Sequence, residues 1–122
     1  MKEDNITQIK SFKFAVRIIK VYQHLTTEKK EYILSKQLLR SGTSIGANIE
    51  ETIGAQSEKD FLSKLSIAYK EARETHYWIR LLAETDYFTP KEKNSLLKDI
   101  EELLKLIGSI QISLKAKLES AK

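Results

Sequence analysis

Cysteine is absent from the 122 residues, which excludes a disulfide scaffold, a cysteine zinc site, an iron–sulfur cluster and a thiol nucleophile. One proline and four glycines exclude collagen, proline-rich linkers and low-complexity disorder. No apolar run approaches the roughly 18 residues that a membrane span needs. The opening MKEDNITQIK lacks the apolar centre of a secretory signal. These absences lead to the expectation of one cytoplasmic domain with no membrane partner. Charge is plentiful: 31% of residues are charged, 21 basic against 17 acidic, for a net charge of +4.

Four helical patterns cover almost the whole chain, at about residues 6–25, 28–53, 58–85 and 90–118, and no strand-like alternation of useful length appears. Ser57 with Asp60 three residues on opens the third helix, and Thr89-Pro90 with Glu92 opens the fourth as a capping box. Gly54, just past the second helix, is placed to supply a left-handed C-terminal cap. The fourth helix carries one seam of Leu96, Ile100, Leu103, Ile107, Ile110, Leu114 and Leu118. Phe61, Leu65, Ala68, Ala72, Ile79 and Leu82 form the matching seam of the third; Leu34, Leu38, Ile45 and Ile49, extended by Ile53, form that of the second. Short connections make neighbours antiparallel, so the expected architecture is an all-α, up-down-up-down four-helix bundle in a single domain spanning residues 1–122.

The first helix is apolar on two sides. Ile9, Phe12, Val16 and Ile19 form one stripe and Phe14, Ile18, Val21 and Leu25 a second, so the apolar arc spans roughly 240° where a bundle helix needs little over 100°. Exposed, the second stripe would forfeit on the order of 1.5–3 kcal/mol per large side chain. Phe14, Ile18, Val21 and Leu25, with Trp78 from the third helix, are therefore expected to form an oligomer interface. The competing reading wraps this helix with the second helix or a terminal segment.

Between the stripes runs an acid-free strip of Lys10, Lys13, Arg17, Lys20 and His24. Residues 1–40 hold 9 basic against 4 acidic residues, so the charge excess is concentrated there. Lys10, Lys13, Arg17 and Lys20 are spaced to track the phosphates of RNA or DNA without reading sequence; the competing reading is an ordinary solvated face. Aromatic stacking residues are not interleaved with these cations.

The run Ser41-Gly42-Thr43-Ser44-Ile45-Gly46-Ala47-Asn48 lacks the Gly-Lys-Ser/Thr ending of a phosphate loop and the preceding strand of a dinucleotide fold or nucleophile elbow. Gly42 and Gly46, one turn apart, suit unusually close helix packing, while the Ser/Thr/Gly content also suits a helix break. Gly42, Ser44, Gly46 and Asn48 form a structural motif in which Asn48 is expected to reach across the bundle to Glu71, Thr75 or His76.

A di-metal site needs two Glu-x-x-His motifs, yet Val21 and Arg73 stand three residues before His24 and His76, the only histidines. Glu71 and Glu74, with Glu50 and Glu51 able to face them, read as ion-pairing groups for Lys70, Arg73 or a neighbouring subunit. No nucleophile–base–acid set emerges. No catalytic residue, metal, cofactor or small-molecule substrate is expected.

The stretch from Gln37 to Glu51 (QLLRSGTSIGANIEE) and a second block comprising Ser57–Phe61, Lys64-Leu65, Ile67-Ala68, Lys70–Ala72 and Glu74–Trp78 resemble the signature of the 23S rRNA intervening-sequence protein family. Many members carry proline where Gly46 stands and Ala-Glu-Gly where this chain has Glu50-Glu51-Thr52. The resemblance implies an up-down four-helix bundle, a ring-like homopentamer and no enzymatic activity. It also implies kinship with the basic accessory protein of diversity-generating retroelements, which is thought to bind nucleic acid.

Overall fold

The computed structural model describes residues 2–121, with side chains from Asn5 onward. Its four helices are α1 (Lys2–Thr27), α2 (Leu34–Ile53), α3 (Glu58–Glu84) and α4 (Pro90–Ser120). Each packs on its chain neighbours, and α1 closes on α4; among the described residues neither diagonal pair of helices comes into contact. This is the square cross-section of an up-down-up-down bundle.

Two of the helix starts follow the sequence signals. Ser57 Oγ accepts the Asp60 amide at 3.0 Å. Thr89 Oγ1 accepts the Glu92 amide at 3.1 Å while the Glu92 carboxylate accepts the Thr89 amide at 2.8 Å, completing the box. The start of α2 does not lie near Glu28. Lys30 takes a left-handed φ of 56°, and the chain re-enters helix only at Leu34. Glu31 supplies the cap from outside: its carboxylate accepts the amides of Ile33, Leu34 and Ser35 at 3.1, 2.8 and 2.7 Å. Burial pushes this carboxyl up, but hydrogen bonds from Ser35, Leu34 and Ile33 outweigh it and hold the group below the ordinary carboxylate value.

Glu31→Gln is accordingly expected to lower stability at neutral pH by about 1–2 kcal/mol. A depressed folded value contributes stability above the unfolded value of roughly 4.3 and loses it as pH falls through the folded one. The difference between wild type and variant should therefore shrink in acid, which urea unfolding at neutral and acid pH would measure.

The stop signals differ. Gly54 has φ −94°, not a left-handed conformation. Such a residue does occur after α3, where Asp86 has φ 70° and Tyr87 N donates to Leu82 O at 2.9 Å, closing a Schellman turn.

The core is built from Phe14, Ile18 and Leu25 of α1, Leu38, Ile45 and Ile49 of α2, Leu65, Ala68, Ala72, Ile79 and Leu82 of α3, and Leu96, Ile100, Leu103, Ile107 and Ile110 of α4. The seams of α3 and α4 thus face inward as their periodicity requires, although Phe61, Leu114 and Leu118 are only half-buried. Ile53, the last member proposed for the α2 seam, is 65% exposed; it sits in the final turn of α2.

The small-residue run is unbroken helix. A Cβ on Gly42 would lie 2.9 Å from both Cγ atoms of Ile18, and one on Gly46 would lie 3.2 Å from the Ser11 carbonyl oxygen. Close approach of α1 and α2, rather than a helix break, is therefore what these glycines provide.

Candidate interaction surface on helix α1

With α1 pinned to α2 at Gly42 and Gly46, its orientation is fixed, and it is the reverse of the sequence-based assignment. Phe14, Ile18 and Leu25 lie inside the protomer's own core, at 3%, 0% and 0% exposure, and Val21 packs against them. They are not available as an oligomer surface. The outward stripe is the other one: Ile9, Phe12, Val16 and Ile19 are 55%, 65%, 39% and 43% exposed. Both stripes have the same helical spacing, so periodicity alone could not rank them. Thr7 and Ser11, buried on the same side as Phe14 and Ile18, are the signal that could have. Small residues there match the glycines of α2.

Trp78 is likewise half-buried against the core, its Nε1 donating to Glu74 Oε1 at 3.2 Å. Its indole is used within the protomer. The cationic strip is split. Lys10 Nζ lies 3.0 Å from Glu102 Oε1, and Arg17 reaches Asp99 at 2.6 Å and the Ser95 hydroxyl at 2.8 Å. These two residues stitch α1 to α4. Lys13 and Lys20 are exposed and, among the described residues, have no acidic partner. They border the apolar stripe.

Asn48 does not cross the bundle; its Nδ2 donates to Ser44 O at 2.8 Å, one turn back on the same helix. The crossing bond is made instead by Ser41 and Thr75, whose buried hydroxyls are 2.9 Å apart. Arg40, which the sequence did not single out, pairs with Glu71 Oε2 at 2.9 Å and with Glu74; Lys70 acts on Glu74 by charge alone, without a direct ion pair. The Arg40 hydrogen bond comes first in holding the Glu74 carboxyl below its ordinary value. Glu50 accepts from Gln8 at 3.0 Å, and Glu51 lies 3.7 Å from Lys64. His76 Nε2 is 3.3 Å from Glu101. Among the described residues no group of three or more His, Asp or Glu could hold a metal ion.

A groove of about 820 Å³ lies at the bundle end between Ile49, Ile53, Phe61, Ile110, Leu114 and Lys117. Its cation Lys117 is paired with Glu58 at 3.1 Å, so it has no free charge there to orient a ligand. No helix among the described residues is long and apolar enough to cross a membrane.

Fold and surface together define an all-α bundle that presents an exposed apolar helix face. The chain belongs to the 23S rRNA-intervening sequence protein family, whose profile matches residues 3–109. It is similar to a protein with unknown function from the S23 ribosomal protein family of Bacteroides thetaiotaomicron VPI-5482, known from a crystal structure at 1.70 Å. Sequence identity is 52%, the TM-score is 0.88, and the match covers 89% of this chain and 97% of that one. No curated protein matches. Neither the family nor this neighbour carries an indication of catalysis.

Proposed function

We propose that the chain is a non-catalytic, self-assembling bundle whose copies associate through the outer face of α1, in the ring of five that the family resemblance implies. One observation carries this reading: a continuous apolar stripe of Ile9, Phe12, Val16 and Ile19, continued by Ile6 at 38% exposure, on a helix whose opposite side is already buried. From Ile6 to Ile19 the stripe is roughly 20 Å long at 1.5 Å per residue. Burial of such a patch against another copy contributes on the order of 1 kcal/mol per half-exposed side chain. A ring requires head-to-tail contacts, so the stripe would meet a different face of the next copy.

Phe12→Glu combined with Val16→Glu should convert the assembly to single chains of unchanged helicity. Light scattering at micromolar concentration, with circular dichroism alongside, measures both quantities. A wild-type mass of 14.1 kDa would overturn the reading.

A second reading rests on Lys13 and Lys20. Exposed, unpaired by acids and repeated in every copy, they support sequence-tolerant contact with the phosphates of RNA or DNA through multivalency. Lys10 and Arg17, committed to α4, add little free charge. Lys13→Glu with Lys20→Glu should weaken nucleic-acid binding and flatten its salt dependence without altering the assembled mass.

A further inference from the structure

Glu71 and Glu74, midway along α3, are used within the protomer. Arg40 crosses from α2 and takes both Glu71 and Glu74, and the Trp78 indole adds a hydrogen bond to Glu74. The outer strip of α3 is mostly cationic: Lys70, Arg73 and Arg80 are exposed, with the exposed Glu84 one turn beyond Arg80; Lys70 acts on Glu74, while Arg73 and Arg80 have no ion pair with an acid among the described residues. Between them stands Tyr77, 48% exposed. The Arg80 guanidinium lies over its ring, 5.9 Å from the centroid, and Trp78 meets the ring edge-on at 5.1 Å. On α3, unlike α1, an aromatic ring is interleaved with cations.

Arg73, Tyr77 and Arg80, with Glu74 and His76, border an open groove of about 600 Å³ between α3 and α4 that Leu104 also lines. Two carboxylates lie nearby, Glu74 held by Arg40 and Trp78, and Glu101 beside His76 at 3.3 Å. At 1.5 Å per residue, Arg73 and Arg80 are roughly 10 Å apart along the axis, far enough to engage separate phosphates of one strand. A ring braced from one side and flanked by cations has the elements of a single-strand site, in which one base stacks and neighbouring phosphates pair.

We propose that the outer face of α3 binds single-stranded nucleic acid, with a base stacked on Tyr77 and the backbone held by Arg73, Arg80 and Lys70. This deepens the second reading above, resting on nucleic-acid contact but moving its centre from α1 to α3.

The test is fluorescence anisotropy of a labelled oligothymidine titrated with the full chain at several salt concentrations. The chain's one tryptophan, Trp78, touches Tyr77 and gives an independent signal by quenching. Binding should weaken with salt. Tyr77→Ala should lose about tenfold in affinity, while Tyr77→Phe stays near wild type. Arg73→Ala and Arg80→Ala should each weaken binding and reduce the salt slope by about 1. All are surface changes, and circular dichroism checks that the fold is kept.

Equal affinity for an abasic oligomer of the same charge, or for polyglutamate, would overturn the stacking site. So would unchanged binding by Tyr77→Ala. Loss of binding in Lys13→Glu/Lys20→Glu, with Arg73→Ala/Arg80→Ala unaffected, would defeat this proposal and leave the α1 reading standing. An absence of binding at low salt defeats both.

Discussion

Gly42→Val is expected to destabilise the bundle by about 3 kcal/mol, at the upper end of what overpacking a closed contact costs. For a domain of this size that is a drop in Tm of roughly 10–20 °C. The reason is local and directional. A Cβ at this position meets both Cγ atoms of Ile18 at 2.9 Å, and Ile18 has no exposure through which to retreat. The two γ-methyls of valine enlarge the clash, and its modest helix propensity returns only a few tenths of a kcal/mol relative to glycine. Ile18→Ala removes the opposing atoms and leaves a cavity that by itself costs about 2–5 kcal/mol. In the double variant the valine grows into that cavity, so the two losses should fall short of adding, with a coupling of about 1–2 kcal/mol. Strict additivity in a urea-unfolding cycle would show that α1 and α2 do not meet through this pair.

The same contact explains which parts of the molecule were legible from residue order. The seams of α3 and α4 have one apolar stripe each, and a helix with one stripe has one way to face inward. Capping at Ser57 and Thr89 depends on residues within a single turn. Helix α1 has two stripes of equal quality, and what decides between them is long-range: glycines in α2 admit α1 only along a side that carries Ser11 and Ile18. Hence Phe14, Ile18 and Leu25 entered the core, and the exposed face became the stripe around Phe12. The charge strip failed in a related way. Lys10 and Arg17 looked free because their partners, Glu102 and Asp99, are more than eighty residues away in sequence. The late start of α2 was hidden because Glu31 reaches forward to three amides from outside the helix, a geometry without the serine-to-acid spacing that marks the other starts.

Arg40→Ala should cost about 1–3 kcal/mol at neutral pH, mostly through what it leaves behind. Half of the Arg40 side chain is in water, so its own pairing energy is discounted. Glu71, however, has a side chain only 12% exposed, and deleting its partner strands a carboxylate in a poorly hydrated site. Rescue follows from that asymmetry: adding Glu71→Gln to Arg40→Ala should recover most of the loss, although Glu71→Gln alone is destabilising. The acid response separates this account from a simple loss of packing. With Arg40 present, the Glu74 carboxyl is held below its ordinary value, so its contribution is in place above roughly pH 4.3 and is lost as pH falls through the lowered folded value. Without Arg40 the principal cause of that depression is gone, and this part of the stability should no longer fall on acidification. Urea unfolding from neutral pH down to about 3 should therefore show wild type and Arg40→Ala converging, and a constant gap across the range would assign the residue's role to the contacts of its aliphatic stem.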